Sequence, residues 1–83
     1  MILEDEGLEP YEETYQPKEK VAGHRHPFCE VRIVAQGEML FNISGTQFLL
    51  RPGDRVEIPA NTKHSHLSQG ETACICVCAL KAI

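Results

Sequence analysis

Gly23-His24-Arg25-His26-Pro27-Phe28-Cys29-Glu30 is the stretch on which the reading of this chain turns. In an extended strand, side chains two apart share a face with α-carbons about 6.6 Å apart, so His24 and His26 can both reach one ion at about 2.1 Å from each imidazole nitrogen. Glu30 cannot join them if the strand simply runs on, because four further extended residues would carry its α-carbon about 13 Å beyond that of His26. A turn is therefore predicted between them. Pro27 is placed to make it, since proline fixes φ and cannot donate to a ladder. Further along, Arg51-Pro52-Gly53-Asp54 is a strong turn signal, followed by the short run Arg55-Val56-Glu57-Ile58, a second break at Pro59-Ala60-Asn61, and then His64. His64 must come from a different strand. Two turn-bounded modules are thus predicted to converge, and they bring three imidazoles and one carboxylate, His24, His26, Glu30 and His64, to one divalent transition metal. Taken singly, each of these side chains reads as an ordinary surface or core group. It is the spacing of all four that makes them a ligand set.

The same residues resemble the cupin family. The first module, Gly23-His24-Arg25-His26 with Glu30 and then Gly37, looks like the first cupin motif, and Glu30 and Gly37 are separated by the six residues that motif has. The second module, Gly53, Pro59-Ala60-Asn61 and His64, resembles the second motif. It departs twice: Asn61 stands where the family usually has glycine, and Ser68 where it often has asparagine. Asparagine also tolerates left-handed backbone angles, so the first departure is mild. The resemblance spans residues 23 to 68 and implies a small jelly-roll barrel, the double-stranded β-helix of single-domain cupins.

The organisation of the chain agrees with an all-β fold. Strands are predicted over Lys20 to His26, Phe28 to Ala35, Glu38 to Ile43, Thr46 to Leu50, Arg55 to Ile58, Lys63 to Ser68 and Thr72 to Leu80, between Gly and Pro punctuation. Ser44-Gly45 reads as a two-residue hairpin, and no stretch of helical period is long enough for a convincing helix. Residues 1–19 read as an acidic N-terminal arm, a candidate for a swapped strand, and residues 20–83 as the barrel domain. Seven of the twelve acids (Glu4, Asp5, Glu6, Glu9, Glu12, Glu13, Glu19) fall in that arm, while Ile2, Leu3, Leu8, Tyr11 and Tyr15 argue against full disorder.

With 83 residues and a formal charge of −4, the chain makes one domain without a basic patch, which argues against nucleic acid as a partner. No long apolar run and no signal-peptide pattern is visible, so neither a membrane span nor export is expected and a cytoplasmic location follows. Cys74, Cys76 and Cys78 alternate with Ile75 and Val77 and so share one strand face; free buried thiols are the expectation, a second thiolate metal site the alternative.

Strand parity extends the site. If Glu30 points inward, so do Phe28, Arg32 and Val34, while Cys29, Val31, Ile33 and Ala35 form an apolar outward face that favours a homodimer. His66 and Ser68 share the face of His64. His66 is then a pocket residue able to relay protons, to hydrogen-bond a ligand or to act as a fifth ligand, or it simply sits at the barrel mouth. Arg32 either pairs with Glu30, offers a fork to a substrate carboxylate, or snorkels outward. His66 as base and Arg32 as anchor are the catalytic candidates. The ligand set suits Mn, Fe, Co, Ni, Cu or Zn and leaves two octahedral positions open. Similar metal-bearing cupins include dioxygenases and isomerases, so the resemblance implies a metal-dependent enzyme acting on a small molecule. The alternative is a non-catalytic metal or ligand-binding module. Sugar-sensing regulators with a similar barrel carry a DNA-binding helix-turn-helix, for which this chain has no residues left.

Overall fold

A computed structural model describes residues 2–81; Met1, Ala82 and Ile83, at the ends of the two predicted stretches, lie outside the described residues. The chain is a sandwich of two antiparallel four-stranded sheets. One has the order β1 (Tyr11–Tyr15), β8 (Cys74–Lys81), β3 (Cys29–Gln36), β6 (Arg55–Ile58); the other β2 (Lys20–His24), β7 (His64–Ser68), β4 (Met39–Ile43), β5 (Thr46–Leu50). Consecutive strands thus alternate between the sheets except at the β4–β5 hairpin, the wrapping of a jelly roll. That hairpin turns on Ser44 and Gly45, whose φ values of 50° and 87° are the positive pair a two-residue type I′ turn requires, and Ile43 pairs with Thr46 across it.

The all-β jelly roll expected from the sequence is the fold observed, with two additions inside the arm. Tyr11–Tyr15 forms β1 and pairs in continuous register with β8, from Tyr11 opposite Cys78 to Tyr15 opposite Cys74. Ile2–Asp5 forms a single helical turn, α1. The strand signal in residues 11–15 is masked by three acidic or polar residues out of five, and only the inward alternation of Glu13 and buried Tyr15 marks it.

Between the sheets lies a core of Tyr15, Val34, Met39, Phe41, Leu50, Ile58, Cys74, Cys76 and Cys78. The three alternating cysteines of β8 are free thiols in this interior, filling it as small apolar groups. The other face of the same sheet carries a second cluster, in which Leu3 packs on Val31, Val77 and Ala79 with Leu8 and Ile33 at its margin. Around Val31 and Ile33 the apolar outward face of β3 is therefore covered by the chain's own arm. A two-pronged ion pair from Arg55 to Glu6 sits at the arm's far end.

Three backbone positions fix turns of the sandwich, two of them beside the loops that carry the histidines. Gly37 has φ +78°, and a Cβ there would lie 2.7 Å from the carbonyl oxygen of Ala73, so only glycine fits where the β3–β4 turn crosses the start of β8. Asn61 takes the left-handed φ of 59° and donates its amide to the carbonyl of His26, tying the loop before β7 to the loop after β2. Beside them, the register of β2 shifts between Val21 and His24, a bulge next to Gly23 that re-aims His24. Gly23 is also where Lys63 lies close, with its Cε 2.9 Å from where a Cβ would stand.

Candidate metal centre

His24 ends β2, His64 begins β7, and the two are register partners, so their rings meet face to tilted face with centroids 4.4 Å apart. His26 lies in the loop after β2, and its ring stacks flat on Phe28, centroids 4.8 Å apart and 7° from parallel. Pro27 and Phe28 form the bend before β3, as the turn forced by Pro27 requires. The three histidines each bring one ligand atom within 4.8 Å of the others. Nitrogens sharing an ion at about 2.1 Å stand about 3.0 to 3.4 Å apart, so small side-chain rotations close the set.

The backbone has already chosen which nitrogens are free. His24 Nδ1 lies 2.8 Å from the carbonyl of Ala22, and His64 Nδ1 lies 2.9 Å from that of Thr62. A carbonyl can only accept, so each Nδ1 carries the proton and each Nε2 keeps its lone pair. This outer anchoring is how metal-binding histidines are fixed in one tautomer. His64 Nε2 is buried and has no partner among the described residues. Burial before all else, with His24 and His26 contributing, holds the His64 ring below its ordinary pKa, toward the neutral form a metal needs. The donor set fits a divalent transition ion.

Glu30, expected as the fourth ligand, is inward and buried as its parity requires, but its carboxylate lies on Arg32. Oε1 accepts from Arg32 Nε at 2.7 Å and stands 4.0 Å from His64 Nε2. Of the three readings of Arg32, pairing with Glu30 is the one the geometry realises. Arg32 NH1 lies 2.8 Å from Glu13 and donates to Tyr15 Oη at 3.0 Å, while Tyr15 Oη donates to Glu13 at 2.7 Å. Cys78 Sγ adds a weak contact to the same Glu13 oxygen, at 3.6 Å. Burial opposes the charge on Arg32, yet Glu30 and its neighbours outweigh it and keep the guanidinium charged. Burial would raise Glu13, and the bonds from Tyr15 and Arg32 reverse that, leaving its carboxyl below the usual range.

His66 is 3% exposed and sits between Tyr15 and Phe41, with ring centroids 5.0 and 5.2 Å away. Both of its ring nitrogens and the buried Ser68 Oγ lack partners among the described residues. Burial first, then Arg32, pushes His66 down to about 4, so it is neutral near pH 7. A neutral imidazole with one free donor and one free acceptor, 6.5 Å from the His24 ring, faces the interior beside the histidine cluster. One surface groove of about 470 Å³ touches His64, but its other walls, Lys20, Asn42, Ser44, Lys63 and Ser65, belong mainly to the opposite face of that sheet, so it is separate from this interior.

Nothing local in the sequence marks Glu13 and Tyr15 as neighbours of the site, because they lie in an arm with seven acids. Their signal is positional: with β1 established, Tyr11, Glu13 and Tyr15 fall on one face.

The sequence profile of the cupin domain matches residues 11–80. This chain belongs to the cupin family. Comparison with curated protein sequences finds no match. Among solved structures it resembles Drosophila melanogaster CENP-C bound to CAL1, at 18% identity and a TM-score of 0.82 over 87% of this chain and 63% of that one. An RmlC-like cupin from Shewanella frigidimarina is 21% identical with a TM-score of 0.80, covering 92% of this chain and 67% of the other. A variant of the salicylate 1,2-dioxygenase of Pseudoaminobacter salicylatoxidans is 22% identical with a TM-score of 0.81, covering 88% of this cupin and 22% of the enzyme. This cupin spans 57 to 63% of the length of the CENP-C chains it resembles. These likenesses establish the fold. Among the described residues no helix is long and apolar enough to cross a membrane.

Proposed function

We propose that this cupin binds one divalent transition metal on the imidazoles of His24, His26 and His64 and uses the site on a small molecule. The observation that carries the reading is the buried, unpartnered Nε2 of His64 beside two further imidazoles, with Nδ1 of both His24 and His64 already committed to backbone carbonyls. A buried lone pair without a donor is costly unless something occupies it. When bound, the ion supplies Lewis acidity or a site for dioxygen.

The remaining chemistry belongs to the chain. His66 presents one ring nitrogen as acceptor and one as donor to a hydroxyl or carbonyl in the interior, and Ser68 Oγ adds a third free polar atom. With its pKa near 4, His66 orients a bound group by hydrogen bonding better than it removes a proton at pH 7. Arg32 is engaged by Glu30, Glu13 and Tyr15, so it shapes the electrostatics of the wall more than it anchors a substrate carboxylate. Phe41, Tyr15 and Phe28 supply the apolar boundary. This favours a small hydroxylated or carbonyl-bearing ligand, turned over by oxygenase-like or isomerase-like chemistry.

The second reading is a non-catalytic binding module. It is supported by the likeness to CENP-C, a structure in which the relative is bound to a protein, CAL1. A homodimer through Cys29, Val31 and Ile33 would require the arm to leave that face or to cross to the neighbour. Elemental analysis of protein purified without added metal, followed by dioxygen-uptake screening against small hydroxylated and carbonyl compounds, tests the first reading. Stoichiometric metal with ligand-dependent uptake or isomerisation supports it. A metal-free protein that binds none on addition refutes it.

A further inference from the structure

Two groups compete for Glu30. Sequence spacing offers its carboxylate to the metal position, and the fold gives it to Arg32. The contested atom is a single oxygen: Oε1 lies 2.7 Å from Arg32 Nε and 4.0 Å from His64 Nε2. Donors side by side on one ion stand about 3.0 to 3.4 Å apart and opposite donors about 4.2 Å, so it is the bond to Arg32, not the distance to His64, that holds Oε1 away. Glu30 also falls outside the group of ligand atoms that lie within 4.8 Å of one another, which contains only the three histidines.

Arg32 cannot easily follow Glu30 toward the histidines. Its far end is held by Glu13 at 2.8 Å and by Tyr15 Oη at 3.0 Å, and Tyr15 and Glu13 are themselves bonded at 2.7 Å. Both belong to β1, which is locked in register to β8, so the guanidinium is fixed from a different strand than the one that carries it. Arg32 is 4% exposed. If Oε1 itself moved onto an ion, Arg32 Nε would be left as a buried charged donor without its present acceptor, a state that proteins avoid.

We infer that Arg32, anchored by Glu13 and Tyr15, withholds the Glu30 carboxylate from the metal position, so that this cupin holds its ion with three histidines alone and Glu30 is a positioning residue. The inference rests on the metal-site reading proposed above. It has a consequence for ligands: three octahedral positions stay open in place of two, and no carboxylate offsets the ion's charge. Such a centre accepts a chelating ligand with two oxygen donors and still keeps one position free.

Titration of metal-free protein with Co²⁺, followed by calorimetry and by visible absorption, separates the alternatives. Glu30→Gln keeps an acceptor oxygen for Arg32 Nε and preserves the side-chain shape. Its affinity is expected within tenfold of the parent, with the same Co²⁺ spectrum. Arg32→Met frees the carboxylate; affinity should rise tenfold or more and the spectrum should change as a fourth protein ligand arrives. The double variant Glu30→Gln/Arg32→Met should return to the parent affinity and spectrum, a coupling that mere structural damage would not produce. A loss of tenfold or more in Glu30→Gln would overturn the inference, as would an Arg32→Met variant, folded by circular dichroism, with parental affinity and spectrum. If Arg32→Met does not fold, Glu30→Gln alone decides by the same threshold. A parent protein that binds no Co²⁺ would instead refute the metal site itself.

Discussion

Replacing Leu3 with alanine tests whether the arm is part of the folded body or a loose tail. Leu3 is fully buried against Val31, Val77 and Ala79, while its neighbours Glu4 and Asp5 are exposed. Burying a leucine contributes about 1.5–3 kcal/mol, and truncating one to alanine in a packed site costs about 2–5 kcal/mol. Leu3 docks from a short segment outside the sandwich, which can lift away, so the loss is capped by its docking energy; the lower part of that range, about 2–3 kcal/mol, is expected. For a domain of this size each kcal/mol shifts the melting midpoint by about 4–8 °C, so the midpoint should fall by roughly 10–20 °C. Thermal unfolding followed by circular dichroism measures it, with Asp5→Ala as the exposed control. Leu3→Asp goes further, since it strips the cover from Val31 and Ala79 and should cause self-association visible by light scattering. A Leu3→Ala midpoint within about 2 °C of the parent would refute the packing of the arm and restore that face as a free dimer surface.

Other outcomes follow from the same structure. Gly37→Ala must place a Cβ 2.7 Å from the Ala73 carbonyl at a φ of +78°, so it should lose about 2 kcal/mol or more in urea unfolding, where a surface glycine such as Gly53 with open space around it should lose less. Unfolded, unreduced protein should titrate as four free thiols. In the native state Cys76 and Cys78, whose thiols burial pushes up to about 12, should react about a thousandfold more slowly at pH 8 than an ordinary thiol, and half-buried Cys29 should label first. His66→Phe should retain metal and lose affinity for hydroxylated ligands by about 1 kcal/mol or more, the scale of a hydrogen bond; unchanged ligand affinity would make His66 a packing residue only.

How far the sequence carried the account depended on the kind of signal. The strands bounded by Gly and Pro, the Ser44-Gly45 hairpin and the meeting of His24, His26 and His64 could all be read from local punctuation and spacing, which are backbone properties. Parity placed Arg32 and His66 inside, and both are buried. What spacing could not rank was the competition for Glu30, because that is decided by Tyr15 and Glu13, residues brought in from β1 by a pairing between the two ends of the described chain. Acids dominate the arm and hide its structure. Its strand and its one buried leucine depend on tertiary contacts that charge composition hides.

The three-histidine metal centre is tested most directly by metal stoichiometry in single histidine variants. After reconstitution with Co²⁺ or Fe²⁺ and removal of free metal, the parent should carry one ion per chain. His24→Ala, His26→Ala and His64→Ala, each confirmed folded by circular dichroism, should each lose it, while His66→Ala should keep it. Metal retained at the parent level in the folded His26→Ala and His64→Ala proteins would contradict the assignment.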